Sequence, residues 1–246
     1  YRLLANRFSI GHEPQPAAIY LGGGYYYPHD DIAKLVAEIR WAQEQGYTDF
    51  KIKVGGASLG EDLRRIEAVL SVVGDGGRLA ADAMNRYGPQ SALEAARAFE
   101  PYRLKWFEDV CDPLDFESHR RVAELYAPPI AAGEALFSVA DARNLFLYGG
   151  LRSDADILLF DPAHAYGLPE YLRMLRLGEE YGWPRQRFWP HGGHLFGLHV
   201  VCGLGLGGAE ANPHNFQPFG GFHDGIALSE GKALPPVLLV RGDFER

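Results

Sequence analysis

Phe50-Lys51-Ile52-Lys53-Val54, closed by Gly55-Gly56, decides how the rest of the 246-residue chain reads. A short run of apolar and β-branched residues bounded by turn formers predicts a strand. Runs of the same kind recur at Ala18 to Leu21, Leu79 to Ala81, Leu104 to Phe107, Ile130 to Ala132, Ile157 to Phe160 and Phe188 to Trp189. Between them lie segments of helical period, such as Ile32, Leu35, Val36 and Ile39 ahead of Gly46, or Leu63, Ile66, Val69, Leu70 and Val73 ahead of Gly74. Each has one apolar face and a glycine stop. Ser138 with Asp141 three residues on opens a further helix as a capping box, aspartate replacing the usual glutamate. Strands alternating with helices build a parallel sheet, and the chain length suits one eight-unit α/β barrel.

Titratable residues fall at the ends of these strands: Lys53, Asp82, Glu108, Glu134, Asp161 and His191. They recur at intervals of 26 to 30 residues, near the roughly 31 per unit of an eight-unit barrel. Read as the last residues of six consecutive strands, they converge on the one face where all barrel strands end. Any one of the carboxylates alone reads as a helix cap or a solvated loop residue. Three acids on adjacent strand ends repel one another unless a cation lies between them. All-oxygen ligation favours a hard ion, and Mg2+ keeps positions open for a substrate carboxylate.

Lys51 and Lys53 are two apart on a strand, so both side chains leave on the same side. Facing ammonium groups in a partly buried mouth are expected to deprotonate more easily, which suits a base near neutral pH. The plain alternative is a pair of surface lysines with their stems packed along the sheet. Asp161 and His191, on neighbouring strand ends, can pair so that the carboxylate fixes the imidazole tautomer. A metal-held carboxylate with a base on one side and an acid on the other describes abstraction of an α-proton to give an enediolate.

Net charge is −8, with both signs interspersed and no block of Lys or Arg, which argues against a nucleic-acid partner. No apolar run reaches the roughly 18 residues needed to cross a bilayer, and no leader pattern opens the chain, so no membrane partner is expected. Cys111 and Cys202 give no disulfide framework, which fits a reducing cytoplasm. Residues 1 to 211 read as the barrel. Residues 212 to 246 read as a hairpin and extended tail packing on it, from Gly220-Gly221-Phe222-His223-Asp224-Gly225-Ile226 and Pro235-Pro236. The opening at Tyr1, which runs straight into Arg2-Leu3-Leu4 and a loop-like stretch, leads to an expectation of sequence upstream.

Lys51-Ile52-Lys53-Val54-Gly55-Gly56, Asp82, Trp106-Phe107-Glu108-Asp109, Gly133-Glu134, Phe160-Asp161 and Pro190-His191-Gly192-Gly193-His194 together resemble the mandelate racemase branch of the enolase superfamily, over nearly the whole chain. Within that branch the chain is most similar to the D-tartrate dehydratases. That likeness rests on Gly22-Gly23-Gly24-Tyr25-Tyr26-Tyr27-Pro28, Asp112-Pro113-Leu114-Asp115, Asp141-Ala142-Arg143-Asn144-Leu145 and the Pro-His-Gly-Gly-His run. The resemblance implies a modified TIM barrel of the (β/α)7β type, here without the N-terminal α+β capping domain. It implies Asp82, Glu108 and Glu134 as Mg2+ ligands, Lys53 as the base, and His191 as the acid that helps a β-hydroxyl leave as water. Lys51 would bind the substrate carboxylate and depress Lys53, and Asp161 would orient His191.

Asn85 and His194 are candidate substrate contacts, although His194 also reads as the start of a helix running to Val201. His164, Tyr166 and Glu210 are secondary candidates, the first two read more simply as local packing. The Tyr25 to Tyr27 run would line the mouth or a subunit interface. Met84 and Ala135 stand where the family pattern has asparagines, which bears on how substrate hydroxyls are read.

The expectation is therefore a Mg2+-dependent hydro-lyase converting an acid sugar or tartrate-like hydroxy-dicarboxylate to a 2-keto acid. A racemase or epimerase on the same scaffold and a non-catalytic metal-binding barrel are the alternatives. A homo-oligomer is expected from the resemblance.

Overall fold

The computed structural model describes residues 1–8, 15–212 and 228–235, and its organising feature is a ring of parallel strands. Strands β1 (Ala17–Gly22), β2 (Asp49–Lys53), β3 (Leu79–Asp82), β4 (Trp106–Glu108), β5 (Ile130–Ala132) and β6 (Ile157–Leu158) pair in that order, and β7 (Gly208–Ala211) returns to pair with β1. The gap between β6 and β7 is filled by residues 188–189. Trp189 N–H donates to the Leu158 carbonyl at 2.8 Å, and Gly207 N–H donates to the Phe188 carbonyl at 3.0 Å. Closure of this kind removes the free edges that an open sheet exposes.

Helices α1 (Arg2–Phe8), α2 (Asp31–Glu44), α3 (Leu59–Val73), α4 (Pro89–Phe99), α5 (Phe116–Leu125), α6 (Val139–Tyr148), α7 (Leu168–Glu180) and α8 (Leu195–Leu204) surround the ring. The expected Ser138–Asp141 capping box opens α6, and a second, Ser58–Glu61, opens α3. Two large apolar clusters fill the space between helices and strands, one under α2 to α5 and one under α6 to α8. A smaller cluster of Tyr20, Ala80, Trp106, Ala131, Ile157 and Leu159, with Trp189 against it, fills the barrel interior. Tyr20, Trp106 and Trp189 pack at centroid distances of 5.1 to 6.0 Å and plug the barrel beneath its C-terminal mouth.

Several expectations change. Residues Arg2–Phe8, at an end where no helix was expected, form α1, docked on α8. Residues 208–211 form a strand that the apolar-run criterion passed over, because Gly-Ala-Glu-Ala holds no large apolar side chain. Glu134, Asp161 and His191 are not the last residues of strands: β5 stops at Ala132 and β6 at Leu158, so these three stand on the loops beyond.

The turn expected at Gly220 to Ile226 lies outside the described residues. A short hairpin is seen instead between β8 (Leu228–Ser229) and β9 (Lys232–Ala233), with β9 antiparallel to the start of β1. Its Glu230-Gly231 turn has both φ values positive, at 49° and 71°, as a tight two-residue hairpin requires. Among the described residues, no helix is long and apolar enough to cross a membrane.

Candidate active site

Lys53, Asp82 and Glu108 end β2, β3 and β4, and the ladder sets them in one row: Lys53 opposite Asp82, Asp82 opposite Glu108. Side-chain alternation turns this row into the barrel together with Lys51, while Ile52 goes to the outer apolar cluster. The expected pairing of the two lysines on one side is therefore present. Both are buried, as are Asp82, Glu108 and Glu210.

Lys51 Nζ lies 2.5 Å from Glu108 Oε1, 3.0 Å from Glu210 Oε1 and 3.5 Å from Asp82 Oδ2. Lys53 Nζ donates to Asp82 Oδ2, and its ammonium sits 5.2 Å from the centre of the Tyr25 ring. The remaining acceptor atoms are also engaged. Trp106 Nε1 donates to Glu108 Oε2 at 2.6 Å, Met84 N–H to Asp82 Oδ1 at 2.8 Å, and Gly192 N–H to Glu210 Oε2 at 3.0 Å. Gly22 leaves the room that Glu210 occupies, since a Cβ there would collide with its carboxylate.

Burial works against every charge in this cluster, and the neighbours decide the outcome. Asp82 stays well below the usual carboxylate range because Lys51 and Lys53 outweigh burial. Glu210, favoured by Lys51 and His191 against burial, falls to about 2. Glu108 goes the other way, to about 8, because burial, with Asp82 and Glu210 adding to it, exceeds the help from Lys51. Asp109, pushed by burial and by Glu134 and Glu108, stands far above its ordinary value, and its Oδ2 has no partner among the described residues.

The lysines correct an expectation. Burial and mutual repulsion do pull Lys53 down, but Asp82, Glu210 and Glu108 outweigh them, and both lysines end above their ordinary value. Reading Lys51-Ile52-Lys53 alone misses this, because the carboxylates that hold the protons come from three other strands.

Across the mouth, His191 Nδ1 lies 3.2 Å from Asp161 Oδ2, the pairing expected from sequence. His191 Nε2 faces Glu134 Oε2 at 3.3 Å. Burial lowers the His191 pKa, but the Asp161 bond, with Glu210 and Glu134, carries it up to about 9. Asp161 is held well below the carboxylate range, burial being outweighed by its bonds with His191 and His194 and by the Ala163 N–H. Gly192 sits at φ 109°, and a Cβ there would come within 2.7 Å of Asp161 Oδ2, so glycine is what lets this loop pass the dyad.

His194 caps α8: its Nδ1 accepts from Gly197 N–H at 2.8 Å while Nε2 meets Asp161 Oδ1 at 3.1 Å, so both ring nitrogens are taken within the protein. Asn85 follows Met84 in a left-handed turn at φ 57°, with its N–H on the Asp109 carbonyl at 2.6 Å and its Oδ1 buried without a partner among the described residues. Of the Tyr25 to Tyr27 run, only Tyr25 faces the mouth. Tyr26 bonds Asp62 at 2.5 Å and Tyr27 bonds Glu38 at 2.9 Å, which ties the loop to α3 and α2.

The expected trio Asp82, Glu108 and Glu134 does not close up as packed here. Lys51 bridges the first two, and Glu134 turns to His191. Among the described residues, the group whose donor atoms lie within 4.8 Å of one another is Asp161, His164 and His191. Residues that sequence reasoning underweighted are Glu210, a strand residue at the centre of the lysine cluster, together with Trp106 and Asp109. An acid alternating with small residues in Gly208-Ala209-Glu210-Ala211 was the available signal.

The family model described as enolase C-terminal domain-like matches residues 34–243. Arabinonate dehydratase of Saccharolobus solfataricus is 30% identical over 79% of this chain and 52% of its own length. L-talarate/galactarate dehydratase of Salmonella typhimurium is 30% identical over 75% of this chain and 44% of its own. The crystal structure of L-talarate dehydratase from Polaromonas sp. JS666, complexed with Mg and L-glucarate, superimposes at TM-score 0.75 with 27% identity, over 90% of this chain and 59% of that one. A racemase from Streptomyces coelicolor with bound magnesium gives TM-score 0.80 and 25% identity, over 95% and 61%. The chain thus spans about half the length of the curated relatives it matches.

Proposed function

The chain belongs to the enolase C-terminal domain-like family, and we propose that its barrel mouth dehydrates a small acid sugar, tartrate-like in its finer reading, to a 2-keto acid with Mg2+ as cofactor. The observation that carries this reading is the opposition across one mouth of a buried lysine–carboxylate row and an Asp161–His191 pair.

The charge balance fits a divalent cation. Four buried acids, Asp82, Glu108, Asp109 and Glu210, face two buried lysines, and the two acids driven upward, Glu108 and Asp109, mark the uncompensated charge. Asp82, Glu108 and Glu134 would hold Mg2+ through their oxygens, a donor set suited to a hard ion. Bound there, the ion would supply stabilisation of the negative charge of an enediolate.

The chain's own side chains do the rest. Lys51 binds the substrate carboxylate. Lys53 takes the α-proton at Nζ, which requires that its carboxylate partner Asp82 be engaged elsewhere, since Asp82 is what holds its proton. His191 gives a proton to the β-hydroxyl as the C–O bond breaks, releasing water, and the resulting enol tautomerises to the keto acid. Asp161 orients His191 through Nδ1. A charged His191 favours dehydration over two-base racemisation, in which the imidazole would have to start neutral.

The reading includes a homo-oligomer in a reducing cytoplasm, where the buried Cys111 and Cys202 stay thiols. The test is a screen of acid sugars, all tartrate isomers included, with excess Mg2+, trapping keto acid as its semicarbazone. Mg2+-dependent keto acid that disappears in Lys53→Ala and in His191→Asn is expected. Failure to form keto acid from any member of the panel would overturn the reading.

A further inference from the structure

Asp161-Pro162-Ala163-His164 is a tight turn: Ala163 N–H donates to Asp161 Oδ1 at 2.6 Å, and Ala165 N–H to the Asp161 carbonyl at 2.9 Å. It sets the His164 ring beside the dyad. His164 Nδ1 lies 3.8 Å from Asp161 Oδ2, the same oxygen that His191 Nδ1 approaches at 3.2 Å, and the two imidazole centroids are 5.4 Å apart. Phe137 packs edge-on against His164 at a centroid distance of 6.0 Å. Asp161 is buried, with its other oxygen fixed by His194, whereas the His164 side chain is 49% exposed. This gives a rigid carboxylate flanked by one anchored imidazole and one that can turn.

The proposed dehydration needs Asp161 and His191 but gives His164 no part. Two imidazole nitrogens and one carboxylate oxygen suit Zn2+, Ni2+ or Co2+ better than the hard Mg2+. Tetrahedral ligands about 2.0–2.1 Å from zinc lie about 3.4 Å from one another, and the two separations from Asp161 bracket that value. The three donor atoms all lie within 4.8 Å of each other.

We propose that Asp161, His164 and His191 form a second metal site, selective for a borderline ion such as Zn2+, and that its occupation takes His191 away from proton transfer. The site shares no ligand with the all-oxygen set Asp82, Glu108 and Glu134, and adjoins it where Glu134 Oε2 lies 3.3 Å from His191 Nε2. Metal binding there stands on the geometry of the triad alone; the inhibitory consequence rests on the dehydratase reading.

The experiment is calorimetric titration of the full chain with ZnCl2 in saturating Mg2+, for the unaltered protein and for His164→Ala, with a parallel Co2+ titration followed by visible absorption. One Zn2+ equivalent is expected to bind in the presence of Mg2+. His164→Ala is expected to weaken it by at least about 10–100-fold, the scale on which even groups supporting a ligand act, and to erase the Co2+ absorption of a low-symmetry nitrogen-ligated site. His164→Ala, on an exposed turn, keeps its melting temperature and its turnover but becomes insensitive to Zn2+.

Zn2+ binding that is unchanged in His164→Ala, or that is displaced stoichiometrically by Mg2+, overturns the proposal. If no acid sugar is turned over but the His164-dependent Zn2+ equivalent is present, the metal site stands and the dehydratase reading falls. Turnover without that equivalent gives the reverse.

Discussion

The two sides of the mouth are built differently. On the lysine side, Lys51, Lys53, Asp82, Glu108 and Glu210 all belong to strands, so ladder register fixes their positions and the barrel wall buries them. On the histidine side, Glu134, Asp161, His164, His191 and His194 stand on loops or at a helix start, held by side-chain bonds to backbone amides and to one another. Charges on the first side are forced into pairs by desolvation. On the second, side-chain exposures of about a quarter for Glu134, His191 and His194 leave room for proton exchange with a ligand. Under the proposed dehydration, the base, Lys53, and the acid, His191, would thus come from the two kinds of scaffold.

The contrast can be broken most forcefully on the strand side. Lys51→Met leaves Glu108 and Glu210 buried without their shared counter-charge, and in urea unfolding it should cost about 3–5 kcal/mol. A cost near zero would mean that the cluster is not the dry ion network described. Trp106→Phe, which keeps the aromatic plug but removes the donor to Glu108 Oε2, should cost about 1.5–3 kcal/mol by the same measurement.

On the loop side, Gly192→Ala forces a side chain into a left-handed position against Asp161, and about 1–3 kcal/mol is expected. His191 gives the pH handle. Its folded pKa, raised to about 9 from 6.5, means its stabilisation is complete below 6.5 and is lost as pH rises through about 9. The melting-temperature gap between the unaltered protein and His191→Asn should therefore shrink over that window; a gap that widens with pH would reverse the assignment of the charged form. The smallest effect is remote from the mouth. Ser138→Ala removes the capping box of α6 and should cost about 1 kcal/mol.

The same contrast explains what the sequence disclosed. Period-two alternation and the intervals between strands located Lys51, Lys53, Asp82 and Glu108, because those residues obey the ladder. It could not position Glu134, Asp161 and His191 relative to their strands, because the ladder ends short of each, at Ala132, Leu158 and Phe188, and apolar patterning does not mark where pairing stops; only before Glu134 does a glycine at positive φ, Gly133, turn the chain. β7 went unread because its inward side is Glu210 and its outward side is alanine, leaving no apolar run to detect. The proton affinities of the lysines depend on acids drawn from β3, β4 and β7, information that no local stretch contains.

The most direct measurement is solvent deuterium entry at the α-carbon, followed alongside keto acid formation, for an accepted acid sugar with Mg2+ in Lys53→Ala and His191→Asn. With Lys53 as base and His191 as acid, His191→Asn should still exchange the α-proton while losing keto acid, and Lys53→Ala should lose both. Exchange that persists in Lys53→Ala and vanishes in His191→Asn would contradict the division of labour between the two sides of the mouth.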